Sequence, residues 1–318
     1  MRQSSRLSVA AGILMGFSVF GLLLATQGML SKEEPFFSWY YCFAWWSYIL
    51  FMESFLYLRG GFSCLLGDTR TFLMRLPLSV TIWLIFEAFN FRLNNWHYIE
   101  IVKEIDLRWI GYALSFATVL PGIFVTQRVL EHLGIARDVR CARLQHPQHL
   151  YKLFFFAGGL LLFGPLLWPK VLFPCVWLGF VFLLEPVNHR LGGDSLLSDL
   201  ERGSPRRIFI LLLAGLWCGL LWELWNFWAG SKWVYTVPIF GFLKVFEMPL
   251  LGFLGFPPFA LECYVMASFF FVILVRAREK LTPSRFAQLC AVAGVVVLLF
   301  WGAVFWGIDR FTVVGFQP

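Results

Sequence analysis

Charge is scarce in this chain: 14% of its 318 residues are Asp, Glu, Lys or Arg, against 59% hydrophobic residues and a mean hydropathy of +0.72. Soluble domains carry about 25% charged residues, so the shortage excludes a water-exposed globular fold. Familiar catalytic fingerprints are missing too. No Walker A loop, HExxH helix or GxSxG elbow occurs, which removes the usual sequence basis for ATP-driven transport, zinc proteolysis and serine hydrolysis. No DDxxD-like motif is present to hold magnesium and a diphosphate. The seven cysteines lack any CxxC spacing and fall mostly in apolar segments, as small packing residues do, not as a disulfide framework or metal cluster does. The loop HPQH (146–149), near Cys141, has metal-like residue types but sits among basic residues as a solvated loop would. No metal or other cofactor is expected.

What is present is apolar sequence in pieces of bilayer length, about 20 residues each. Such runs lie near 8–30, 36–58, 72–92, 107–127, 150–169, 171–190, 206–228, 248–275 and 287–307. The expected fold is therefore all-α, a polytopic transmembrane helix bundle of about nine spans. The net charge of +7 could suggest a nucleic-acid partner, but the positions of the charges point to membrane topology. With the N-terminus cytoplasmic, 18 of the 26 basic residues fall on the inner side. The expected location is the plasma (inner) membrane, with the C-terminal FTVVGFQP outside and no nucleic acid bound. The first run follows a basic stretch but no A-x-A-like cleavage site, so it is expected to remain as the first span.

An internal repeat organises the chain. FAWWSYILFMESFLYLRGGFSCLL (43–66) aligns without a gap on CVWLGFVFLLEPVNHRLGGDSLLS (175–198), matching Trp45 to Trp177, Glu53 to Glu185, both Gly pairs and Ser63 to Ser195. Downstream, FEAFNFRLNNWHY (86–98) follows WELWNFWAGSKWVY (222–235), with Glu87 on Glu223, Asn90 on Asn226, Trp96 on Trp233 and Tyr98 on Tyr235. Each copy then reaches a proline 25 residues after that tryptophan, Pro121 and Pro258. Matched Glu, Asn, Trp, Tyr and Pro are not explained by shared hydrophobicity. The expected organisation is two parallel four-span repeats, residues 1–140 and 141–280, and an extra C-terminal span with its tail, 281–318. An even number of spans gives both copies the same orientation, related by an axis near the membrane normal.

Ionisable groups inside a bilayer are expensive and usually turn toward a protein interior or wet cavity. The candidates are Glu53, Glu87, Glu185, Glu223 and Glu262. Residues i and i+3 share a helix face, so Glu87 with Asn90 and Glu223 with Asn226 are expected to point into one interior. Glu262 aligns with Val125 and Glu247 with Ile110, so the second copy alone gains these acids. Pro257 and Pro258 remove amide donors and are expected to break the helix beside a cavity. A carboxyl group held away from water favours its neutral form, which fits it to act as a general acid. The 15 Trp, 9 Tyr and 37 Phe supply ring faces to stabilise a developing cation. The expected catalytic set is Glu262 as acid, Glu223 with Asn226, and Glu87 with Asn90. Substrate contacts are expected from Glu53, Glu185, Glu247, Trp96, Tyr98, Trp233, Tyr235, Pro257 and Pro258. Plainer roles compete: the Glu/Asn pairs could bond the two halves together, and W-x-Y could belong to an interfacial aromatic belt.

Residues 222–265, with Glu223, Trp233-Val234-Tyr235, Gly255-Phe256-Pro257-Pro258 and Glu262, resemble the membrane-embedded carotenoid cyclase and carotenoid hydratase proteins. The lycopene-cyclase type is likewise built from a duplicated unit of a few spans. PPFALE, with a single displaced acid, stands where the cyclases have Pro-x-Glu-Glu. The resemblance implies proton-initiated cyclisation, hydration or isomerisation of an isoprenoid or other membrane lipid. Two other functions fit the same pattern: a proton-coupled transporter or channel for a small solute, and a non-catalytic membrane scaffold.

Overall fold

The computed structural model describes residues 5–237 and 243–315. The last three residues of the C-terminal tail lie outside them. The described residues are 76% helical. In order come α1 (Ser5–Leu30), α2 (Tyr40–Leu58), the one-turn α3 (Cys64–Gly67), α4 (Thr69–Leu93), strand β1 (Trp96–Ile99), α5 (Ile105–Phe116) and α6 (Val119–His132). Then follow α7 (Tyr151–Leu167), α8 (Pro169–Leu172), α9 (Val176–Leu191), α10 (Leu196–Glu201), α11 (Arg206–Trp228), strands β2 (Lys232–Tyr235), β3 (Lys244–Val245) and β4 (Met248–Pro249), α12 (Phe256–Lys280) and α13 (Pro283–Phe311).

Eight helical segments among the described residues are long and apolar enough to cross a membrane. Helix α2, with its Tyr, Trp, Ser and Glu, is not one of them. Its 19 residues still make a rod of about 28 Å. It is packed against α1, α6 and α11, and Ala44, Trp45, Ile49 and Glu53 are wholly buried. A helix shielded by other helices does not need an apolar surface, which explains its composition. The core lies between α2, α4, α6, α9, α11 and α12, while α1 and α13 present mostly exposed apolar side chains at its flanks.

The paired glycines have a local purpose. Gly60 and Gly192 adopt φ of +77° and +72°, where L side chains are strained, and end α2 and α9. The amides of Gly61 and Gly193 reach back to the Leu56 and Asn188 carbonyls. The chain then turns into α3 or α10, capped by Ser63 and Ser195, whose hydroxyls accept from Leu66 N and Ser198 N.

Two expectations need correction. The fourth and eighth apolar runs are not single helices: the first is interrupted between α5 and α6, and in the second a 3-10 segment, Leu250–Gly255, precedes α12. Pro257 and Pro258 therefore do not break a helix. They occupy the first turn of α12, where a missing amide donor leaves no hydrogen bond unmade. Pro121 holds the same third position in α6 that Pro258 holds in α12. Among the described residues the helical bundle also carries two short ribbons, of which β1–β2 matters most. Trp96 pairs with Tyr235 and Tyr98 with Trp233, antiparallel. Tyr98 also bonds Thr312 O and Val314 N through its backbone, so the segment after α13 covers the ribbon edge.

Candidate functional site

The site is built from the last turns of α4 and α11 and the strands that follow them. Asn90 donates to Trp96 O at 2.8 Å and accepts from the Asn95 and Trp96 amides at 2.9 and 3.3 Å. Asn226 does the same to one residue, donating to Trp233 O at 2.8 Å and accepting from Trp233 N at 3.0 Å. Each side-chain amide thus stands in for a missing strand neighbour and fixes a W-x-Y strand to its helix. Both asparagine amides, expected to be catalytic, are thus committed to the backbone of the strands. Replacing Asn226 by Ala leaves two backbone groups unpaired and should cost about 1–3 kcal/mol. Unfolding in detergent measures it, and an unchanged midpoint would contradict the assignment.

With the strands fixed, the carboxylates meet their partners. Glu87 Oε1 accepts from Trp83 Nε1 at 2.8 Å, from Trp96 Nε1 at 3.2 Å and from the Tyr98 hydroxyl. Glu223 Oε1 accepts from the Tyr235 hydroxyl at 2.7 Å. The second oxygen of each is buried without a hydrogen-bond partner among the described residues. Neither glutamate bridges the two halves; each is held within its own. Burial, reinforced by Glu87 and Glu223, pushes the Tyr98 and Tyr235 phenols well above their usual 10.0, so both remain proton donors.

Below the ribbon lies an aromatic chamber of about 160 Å³. Trp83, Trp96 and Tyr98 line it from the first half, and Trp222, Trp233 and Tyr235 from the second. Phe259 sits among the rings, with centroids 5.7, 5.5 and 5.7 Å from Trp83, Trp177 and Trp222. Helix α5 closes one side through Gly111, Tyr112, Ser115 and Phe116. It is clamped there by Asp309 of α13, which accepts from Arg108 Nε and Nη2 at 2.8 Å each, Trp109 Nε1 at 2.9 Å and Tyr112 OH at 2.9 Å. Arg108 and Lys232 also reach the wall, but each faces a carboxylate, Asp309 or Glu247, the latter pair at 2.9 Å.

Several expected site residues lie elsewhere. Glu262 is wholly buried on α12, one turn beyond Phe259, and accepts from Phe180 N at 2.8 Å, which ties α12 to α9. It is not part of the chamber wall, because the wall ends at Phe259. Glu53 and Glu185 lie at the opposite ends of α2 and α9 from the chamber. Glu53 accepts from Ser63 Oγ and Leu65 N and pairs with Arg128; Glu185 accepts from Ser195 Oγ and Leu197 N. Both hold turns and contact no chamber. Pro257 and Pro258 do not line it either, although their neighbours Phe256 and Phe259 do. Glu247 touches it only through Lys232.

Sequence reasoning missed Trp83, Trp177, Trp222, Phe259 and Asp309. Trp83 was findable, since it lies one helical turn before Glu87; so was Asp309, an acid at the end of an apolar run. Trp222 and Phe259 carry no signal beyond being aromatic among many. The described residues bring together no group of His, Cys, Asp and Glu able to hold a metal ion. Compared with family models, with curated proteins and with solved structures, the chain matches none.

Proposed function

We propose that the chain is an inner-membrane enzyme that takes an isoprenoid or similar lipid into the aromatic chamber and acts on it by proton transfer. In this reading two copies of a four-span unit, with α2 included as a crossing, are related by an axis through the ribbon at His97 and Val234. The matched bonds of Glu53 and Glu185, Asn90 and Asn226, and Tyr98 and Tyr235 support the duplication, and so does a ribbon that pairs each copy's Trp with the other's Tyr. Helix α13 is the ninth crossing. The N-terminus lies inside, and the chamber is near the outer face.

The observation that carries the function is a cavity whose walls hold two tyrosine hydroxyls, each hydrogen-bonded to a buried glutamate, among six tryptophans. A water-poor chamber of ring faces lowers the energy of a carbocation. A Tyr–Glu pair delivers a proton to an alkene carbon: the π electrons form the C–H bond and the carboxyl group reprotonates the phenol. Glu262, outside the wall, is not needed for this chemistry. The position of the chamber between similar halves also suits a solute carrier, and one experiment separates the two. Protein in phospholipid vesicles, supplied with a membrane isoprenoid extract in D2O, should place carbon-bound deuterium in an isoprenoid. Solute flux driven by pH, with no such deuterium, would establish the carrier instead.

A further inference from the structure

The two Tyr–Glu pairs are not equal. Glu87 receives three side-chain hydrogen bonds, from Trp83, Trp96 and Tyr98. Among the described residues Glu223 receives one close hydrogen bond, from Tyr235, with the Trp233 indole and the Met248 amide as weaker, more distant donors. The difference is written in the sequence, because position 219, which corresponds to Trp83, is glycine. No indole fits there: a Cβ on Gly219 would stand 2.2 Å from the Phe256 ring. Phe256 thus occupies the space where a third donor would lie. The charged groups closest to the second site are Glu247 and Lys232, already paired at 2.9 Å.

Hydrogen bonds to a carboxylate favour its anionic form, and fewer or weaker ones in a dry site favour the neutral acid. We infer that proton flow across the chamber is one-way, with Glu223–Tyr235 as donor and Glu87, backed by Trp83, Trp96 and Tyr98, as acceptor. The reaction class follows. The alkene π pair binds the Tyr235 hydroxyl proton as the Tyr235 oxygen takes the Glu223 carboxyl proton. The carbocation then loses an adjacent C–H proton, whose bonding pair becomes the new double bond. That proton passes to the Tyr98 oxygen while Tyr98 gives its own to Glu87. Nothing is oxidised or reduced, no water is consumed, and one proton has moved from Glu223 to Glu87, to be reset by exchange with solvent. The product is an isomer of the substrate, by ring closure or by a shifted double bond, and not a hydrate.

The substrate rests on the function proposed above, but the polarity belongs to the resting protein and can be read without it. Infrared difference spectra of wild type and variants, in phospholipid vesicles with no isoprenoid added, identify which form each substitution removes. Glu223→Gln should remove the carbonyl band of a neutral carboxyl group, and Glu87→Gln should remove carboxylate bands. The reverse pattern, or the same form lost in both, overturns the polarity. Should Glu87→Gln fail to fold, Trp83→Phe keeps a ring and withdraws one donor. It should shift intensity from carboxylate to neutral-carboxyl bands, and unchanged spectra overturn the inference. A chamber without any isoprenoid would defeat the functional reading and leave these spectra as they are.

Discussion

Glu223→Gln should lower deuterium transfer to the isoprenoid by about 10²- to 10⁴-fold, the usual worth of a positioned general acid. Glutamine keeps the shape and can still accept from the Tyr235 hydroxyl, which lies 2.7 Å from Glu223 Oε1. It cannot return a proton to the phenol. Tyr235→Phe should produce a loss of the same order, because it removes the hydroxyl through which the carboxyl group acts. The double variant should be no slower than the worse single one, since in the proposed mechanism the two residues work as a unit. Glu262→Gln supplies the contrast. Its carboxylate accepts from Phe180 N and lies outside the chamber wall, so turnover should stay within about tenfold of wild type. Full loss in Glu262→Gln with activity retained in Glu223→Gln would return the acid to the residue that sequence alone favoured.

The second large effect lies at the other end of the molecule. Glu53 is wholly buried and pairs with Arg128, whose side chain is 14% exposed. Arg75, close by, has Cys64 Sγ at 3.3 Å and the Phe124 ring centroid at 4.8 Å as its contacts. Glu53→Ala leaves these guanidinium groups in a poorly hydrated interior without that carboxylate. Breaking a buried pair in this way costs about 3–5 kcal/mol. Glu185→Ala loses the matched hydrogen bonds from Ser195 and Leu197 but strands no arginine, so about 1–3 kcal/mol is expected. Chemical unfolding of both variants in detergent measures the gap. Equal losses would show that the pair with Arg128 adds nothing beyond the shared turn.

The helical bundle was legible because bilayer length and apolarity are properties of contiguous sequence. The motif Glu, Gly-Gly, Ser was legible for a related reason: helix ending, capping and turn satisfaction are local, and each residue in it bonds within about 12 positions of the others. What the motif does is not legible in the sequence, because rarity of charge in a membrane marks both functional and turn-holding carboxylates. Glu262 shows the limit most clearly. Its separation from the chamber depends on how α12 packs against α9, a contact between residues 82 positions apart. A proline disrupts the interior of a helix but not its first turn, and the sequence does not say where α12 begins. Repetition makes the W-x-Y elements visible in the sequence. That they pair with each other across an axis follows from the tertiary arrangement alone.

The central claim is that the chamber holds an isoprenoid, and mass spectrometry of the lipid retained by the purified protein tests it most directly. The comparison is with a variant carrying leucine at Gly111, on the chamber wall, where a Cβ has 3.7 Å of clearance to Trp39. The account predicts an isoprenoid bound to the wild type and depleted from Gly111→Leu, with bulk phospholipids equal in both. Bulk phospholipid alone in both preparations, with no isoprenoid in either, would contradict it.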